Sequence, residues 1–168
     1  GIAKGAGMIR PRMKVATMLA FIATNAFITP SALKKALQIS IDKSFNMINI
    51  DGETSTNDTV LIMANGIAKN RLISLRRRDE MFQAGIDYVL TELARMIAKD
   101  GEGASHFIEV HVKNARNDED ARVAALSVAG SNLVKAAIFG RDPNWGRIVA
   151  ALGYSGASFN PSKISLEL

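Results

Sequence analysis

The chain has 168 residues, 48% hydrophobic and 22% charged; this is ordinary globular composition, with enough length to bury one sizeable core, and a single compact domain is expected. It contains no cysteine, which excludes disulfides, thiolate metal sites and thiol redox chemistry, and fits a reducing cytoplasm. Its formal charge of +5 would suit nucleic acid, a membrane surface or an anionic small substrate. Only two Tyr and one Trp are available to stack on bases, so the basic run Arg76-Arg77-Arg78 is read as solvated surface.

In chain order, Gly1 opens the sequence without an initiator Met, and the chain is expected to be a piece of a longer protein. Residues 10–26 imitate a signal peptide, with Arg10, Arg12 and Lys14 before an apolar run, but that run is too short to span a bilayer and no membrane role is expected. Thr17-Met18-Leu19-Ala20-Phe21-Ile22-Ala23 reads as a buried strand whose first residue is a hydroxyl. Thr29-Pro30 gives an N-cap followed by Pro at the first helical position. The recurrence of Leu33, Leu37, Ile41 and Phe45 then predicts an amphipathic helix.

A short strand is expected over 47–50, leading into the polar loop Asp51-Gly52-Glu53-Thr54-Ser55-Thr56-Asn57-Asp58, and a further strand over 59–64. Phe82, Ile86, Val89, Leu93 and Ile97 mark the buried stripe of a helix over 79–98. That helix should stop at Asp100-Gly101-Glu102-Gly103, where a glutamate between glycines is positioned by backbone. Alternation predicts a strand over 107–112. The acidic start Asn117-Asp118-Glu119-Asp120 predicts a helix to about residue 132, and apolar runs predict strands over 133–139 and 164–168. The turn at 140–147 carries the only Trp and opens a helix through Leu152. Alternating strands and helices argue for a layered α/β architecture, with helices packed on sheet faces.

In a strand over 106–112, His106 and His111 would face opposite sides and could not share an ion, so no metal site is expected. Gly5-Ala6-Gly7 and Gly101-Glu102-Gly103 complete neither a dinucleotide nor a phosphate-loop pattern, and no Gly-x-Ser-x-Gly elbow is present.

Five segments, in order, carry a more specific signal. Lys4-Gly5-Ala6-Gly7-Met8-Ile9, Ala16-Thr17-Met18-Leu19-Ala20-Phe21-Ile22, Asp51 through Thr59, Asp100-Gly101-Glu102-Gly103-Ala104 and Gly140 through Ile148 together resemble the bifunctional ornithine acetyltransferase/N-acetylglutamate synthase family. The resemblance implies an α/β layered sandwich with helices packed on mixed sheets. It also implies a precursor that cleaves itself between Ala16 and Thr17, so that 1–16 would end an upstream chain and 17–168 would form a catalytic-chain domain beginning with the nucleophile. The spacer from Arg10 to Val15 departs from the family's usual spacing by about two extra residues, counted by pattern.

By the same resemblance, Thr17 is the catalytic residue, accepting acetyl from N2-acetylornithine and passing it to glutamate through an acetyl-threonine intermediate, in arginine biosynthesis. Lys4 and Glu102 resemble substrate-binding residues, Lys4 for a carboxylate and Glu102 for the ornithine ammonium. The exchange requires no cofactor, and some family members take acetyl-CoA as donor instead. The implied partners are the small substrates and the upstream chain, in a hetero-oligomer of two chain types with two copies each, in the cytoplasm. The family's oxyanion-forming Thr-Gly and its Asn-Thr substrate contacts have no match in this sequence.

The chemistry explains the choice of residue. A free Thr hydroxyl is a weak nucleophile, but an N-terminal Thr carries its own base, because an α-amine titrates at about 7.7–8.0. The small Ala16 leaves room for attack on its carbonyl, and the β-methyl of Thr17 restricts the side-chain rotamer. Two other readings remain open: an N-terminal-nucleophile amidohydrolase or aminopeptidase of related fold, in which water resolves the acyl-threonine, and a basic nucleic-acid-binding domain, whose binding would fall steeply with salt.

Overall fold

The computed structural model describes residues 1–12 and 18–168. Contacts divide the chain into two units, Gly1–Glu102 and Gly103–Leu168, where length alone predicted a single compact domain.

In the first unit, β1 (Ile2–Lys4), β2 (Leu19–Thr24) and β3 (Thr59–Ala64) form a mixed sheet in that order. β1 pairs antiparallel with β2, and β2 pairs parallel with β3 in the register Leu19↔Thr59 through Thr24↔Ala64. The parallel pair requires a crossover, and α1 (Pro30–Lys43) lies within it, capped by the Thr29 side chain, which accepts from the Ala32 N–H. α2 (Glu80–Lys99) begins at Asp79, whose carboxylate accepts from the Phe82 N–H. Arg76, Arg77 and Arg78 lie exposed before it.

The period of two along each strand sorts the sheet into faces. Ala20 and Ile22 are buried with Ile41 and Phe45, and with Ile86, Leu90, Ala94 and Ile97 of α2. Phe82, Val89 and Leu93, expected in the helix's buried stripe, pack partly buried at the margin of this core. On the other face Ile2, Phe21, Leu61 and Met63 are 41–69% exposed, so the apolar run after Thr17 is buried on one side only. The expected strand over 47–50 is absent. A 3-10 turn at Phe45–Met47 ends the α1 region instead, with Phe45 in the core and the Met47 N–H bonded to the Ser44 carbonyl.

Between the helices a polar cluster replaces apolar contact. Asp87 accepts from Ser40 Oγ, Gln83 Nε2 and Lys43 Nζ, and Ser44 Oγ donates to the Ser40 carbonyl. Burial would raise the Asp87 carboxyl, but the hydrogen bonds from Ser40 and Gln83, with the Lys43 charge and hydrogen bond, outweigh it and hold the group below its ordinary value.

The second unit contains α3 (Asp118–Gly130), α4 (Asn132–Phe139) and α5 (Trp145–Gly153). Val128, Val134 and Ala151 form its buried centre, with Val110, Ile138, Ile148 and Leu152 packed against them. The acidic start of α3 is capped by Asn117 as expected. The expected strand over 133–139 is helix α4: Ser131 closes α3 and its side chain caps α4, accepting from the Val134 N–H. A short apolar run has no period of its own to separate strand from buried helix, and the cap decides it. Residues 107–112 and 164–168 carry no ladder pairing among the described residues, because alternation supplies a face but not a partner strand. No single helix among the described residues is long and apolar enough to cross a membrane.

Candidate active site

Ala16 and Thr17, the expected cleavage and nucleophile residues, lie outside the described residues, as do Met13, Lys14 and Val15. What the structure describes is how the chain is held on either side of them. Upstream, Ile9 and Pro11 are fully buried; downstream, Met18 is fully buried.

The polar loop 51–58 reaches both sides. At its near end the Asp51 carboxylate accepts the Met8 N–H at 2.5 Å and the Ile9 N–H at 3.1 Å. The Ile50 N–H donates to the Ile9 carbonyl at 2.7 Å, and Thr54 Oγ1 donates to the Arg10 carbonyl at 2.9 Å. Met8 has φ 57°, the left-handed region that costs a non-glycine residue free energy. Two hydrogen bonds to one carboxylate, each stronger than a neutral pair, offset that cost.

At the far end the Asp58 carboxylate accepts the Met18 N–H through Oδ1, and the Thr59 N–H donates to the Met18 carbonyl at 2.8 Å. Both backbone groups of Met18 are thereby satisfied at the point where β2 begins. Asp58 Oδ2 is buried and has no hydrogen-bond partner among the described residues. Burial pushes the Asp58 carboxyl above its ordinary value, and the Met18 N–H opposes that shift. One eight-residue loop therefore fixes the chain on both sides of residues 13–17, using contacts some 40 residues apart in sequence.

Lys4 lies exposed at the end of β1, opposite Leu19 in register. Glu102 lies where α2 gives way to the second unit, and its N–H donates to the Ala6 carbonyl at 2.7 Å. Its carboxylate covers Gly7 so closely that a Cβ there would sit 2.7 Å from Oε2. A Cβ on Gly5 would meet Ile9 Cδ1 at 2.8 Å, so Gly-x-Gly here serves close packing, the first glycine toward the core and the second toward a carboxylate. Glu102 is thus brought to the segment that follows Lys4, held by backbone as its glycine flanks predict. Among the described residues no ion pair joins Glu102 to Lys4.

Sequence reasoning passed over Asp51 and Asp58. The signal was present as a loop of polar side chains with no assigned partners, but the partners lie across the fold. In the second unit, His106 accepts or donates with Ser105 and meets Phe139 edge-on at 6.3 Å. Arg147 donates to the Leu133 carbonyl at 3.0 Å, and Asp142 accepts from Asn144. No cluster of three or more His, Asp or Glu suited to a metal ion occurs among the described residues.

The chain is 51% identical over 169 residues to the arginine biosynthesis bifunctional protein ArgJ of Caldanaerobacter subterraneus, covering 100% of this chain and 41% of that protein. It is 54% identical over 168 residues to the glutamate N-acetyltransferase of Methanocaldococcus jannaschii, again covering 100% of this chain and 41% of the relative. The chain thus spans about two fifths of the length of these curated relatives. The crystal structure of arginine biosynthesis bifunctional protein ArgJ from Bacillus halodurans superposes with a TM-score of 0.82 at 46% identity, over 86% of this chain and 68% of that one. The α/β architecture of helices on a mixed sheet is therefore that of a solved relative, and the family model describing ArgJ matches residues 1–168 throughout: the chain belongs to the ArgJ family.

Proposed function

We propose that this chain is part of a self-processing acyltransferase of arginine biosynthesis that moves acetyl from N2-acetylornithine to glutamate. In the precursor the Thr17 hydroxyl attacks the Ala16 carbonyl, the acyl group moves from nitrogen to oxygen, and water hydrolyses the ester. The freed α-amine of Thr17 then serves as base for its own hydroxyl. Acetylornithine acetylates Thr17, ornithine leaves, and glutamate takes the acetyl group in a second step. Glu102 would pair with the ornithine ammonium and Lys4 with a substrate carboxylate. The cycle needs no cofactor, and acetyl-CoA is an alternative donor chemistry. The upstream product of cleavage would remain bound, two copies of each chain making the cytoplasmic enzyme.

The observation that carries this reading is the two-sided hold of loop 51–58. Asp51 fixes Met8 and Ile9, Asp58 fixes Met18, and the intervening stretch contains Ala16-Thr17. A bond that is to be attacked by its neighbour's side chain needs its flanks immobilised, because orientation supplies much of the rate of an intramolecular step. The names of the relatives support the reaction class.

The test is intact mass on the full-length gene product. The wild type should appear as two chains, the second beginning at Thr17, and acetylornithine alone should add one acetyl group to that chain's first peptide. Thr17→Ala should remain a single chain with no acetyl transfer. A mutant that still splits, or an acetyl group found only on lysine, would overturn the reading.

A further inference from the structure

The sequence holds one Asn-Gly pair, Asn65-Gly66, directly after β3. Asparagine before glycine carries a latent reaction, in which the backbone nitrogen of the glycine attacks the side-chain amide carbon and expels ammonia. Glycine permits the approach because it has no side chain to obstruct it and adopts backbone angles that other residues avoid. In a folded protein the outcome depends on what the two groups are already bonded to.

At this pair the fold leaves the reacting groups open. Asn65 is exposed, and its Oδ1 accepts the Ile67 N–H at 3.1 Å, an Asx turn that folds the side chain across Gly66. The same N–H donates to the oxygen on which negative charge develops when Cγ is attacked, the arrangement that stabilises an oxyanion. Among the described residues neither the Gly66 N–H nor Asn65 Nδ2 has a hydrogen-bond partner, so nucleophile and leaving group are both free. Asp51-Gly52 provides the contrast within the same unit. There the Gly52 N–H is engaged by Asn49 Oδ1 at 2.9 Å, and the Asp51 carboxylate, itself a poor electrophile, accepts from the Met8, Ile9 and Glu53 amides.

We infer that Asn65 is a site of spontaneous deamidation in the folded protein. The Gly66 nitrogen bonds to Asn65 Cγ, the Cγ–Nδ2 bond breaks, and the Gly66 proton, relayed by water, leaves with the amide as ammonia. One water then opens the succinimide ring. Breaking the new N–Cγ bond gives aspartate, and breaking the bond from nitrogen to the main-chain carbonyl carbon gives isoaspartate. Isoaspartate carries the main chain through Cβ and Cγ and so lengthens it at the start of a strap. That strap is pinned by the Asn65 N–H to the Thr24 carbonyl at 3.2 Å, the Ala68 N–H to the Asn25 carbonyl at 2.8 Å and the Thr29 N–H to the Ile73 carbonyl at 3.0 Å. An added backbone atom at residue 65 moves Ala68 out of register with Asn25.

The experiment incubates the folded full-length protein at mildly alkaline pH and maps its peptides by mass spectrometry. Isoaspartate is read by methyl transfer from S-adenosylmethionine with an isoaspartyl methyltransferase. The peptide containing residues 65 and 66 should gain the mass of an amide-to-acid exchange, in two separable products, and faster as pH rises, because the attacking nitrogen must lose its proton. Asp51-Gly52 should yield no isoaspartate over the same period. Asn65→Gln keeps the amide but must close a larger ring, so the signal at this peptide should vanish while the melting temperature holds. In the aged wild type the Ala68 amide should lose protection from hydrogen exchange. Deamidation at Asn65 in protein unfolded by urea but not in folded protein would overturn the inference, as would isoaspartate forming equally at Asp51. Unchanged exchange at Ala68 in fully converted protein would overturn the loosening of the strap.

Discussion

The two units of this chain are built from similar apolar runs, yet one contains a sheet and the other does not. In Gly1–Glu102 the runs 19–24 and 59–64 lie side by side and their backbone groups pair. In Gly103–Leu168 the run 133–139 is helical, and 107–112 and 164–168 form no ladder among the described residues. The first unit is tied by hydrogen bonds to side chains more than 40 residues away, such as the Met8 N–H to Asp51 and the Ser40 hydroxyl to Asp87. The prominent ties of the second are caps and turns, with Ser127 Oγ to the Ala151 carbonyl and the Ser158 N–H to Asp120 as its longer bonds. A strand is a relation between segments, whereas a helix satisfies its own backbone, so the same apolar run resolves differently according to whether a partner lies beside it.

The largest effect that bears on this contrast is expected at Glu102, the junction of the two units along the chain. If its position on Gly7 serves substrate, Glu102→Gln in the full-length enzyme should weaken acetylornithine use by about 1–3 kcal/mol, the loss of one charge-assisted contact, and leave self-cleavage intact. Steady-state kinetics with acetylornithine measure it, and unchanged kcat/KM would return Glu102 to the role of a turn residue.

Comparable in size is the long-range polar tie of the first unit. Asp87→Ala removes the acceptor of the buried Ser40 hydroxyl and should cost about 1–3 kcal/mol at neutral pH by denaturant unfolding. The Asp87 carboxyl is held below its ordinary value in the folded state, so its contribution is present above the unfolded value near 3.9 and is lost as pH falls through the lowered one. The gap between wild type and variant should therefore close on acidification below that range, and a gap independent of pH would break the assignment.

The smallest effect is local and belongs to the second unit. Ser131→Ala removes the cap from α4 and should cost about 1 kcal/mol, with Ser131→Asp restoring most of it. If alanine cost nothing, the cap would not be what makes 132–139 helical.

What the sequence determined by itself was local. Thr29-Pro30 and Asp79 announced the starts of α1 and α2 because a cap needs only its own next few residues. The runs at 19–24 and 59–64 were legible as strands because their lengths and composition suit burial. Glycine on either side of Glu102 marked a backbone-held carboxylate for the same local reason. The tertiary structure alone decided which runs found partners, that Ser131 would turn a strand-like run into a helix, and that a loop with no assigned role would grip the chain at Met8 and at Met18. Asp51 and Asp58 stand in the sequence as two acidic residues of a turn, and their significance comes from amides about 40 residues away. Spacing along a chain carries no record of such contacts, because they exist only once the sheet has brought β2 beside β3.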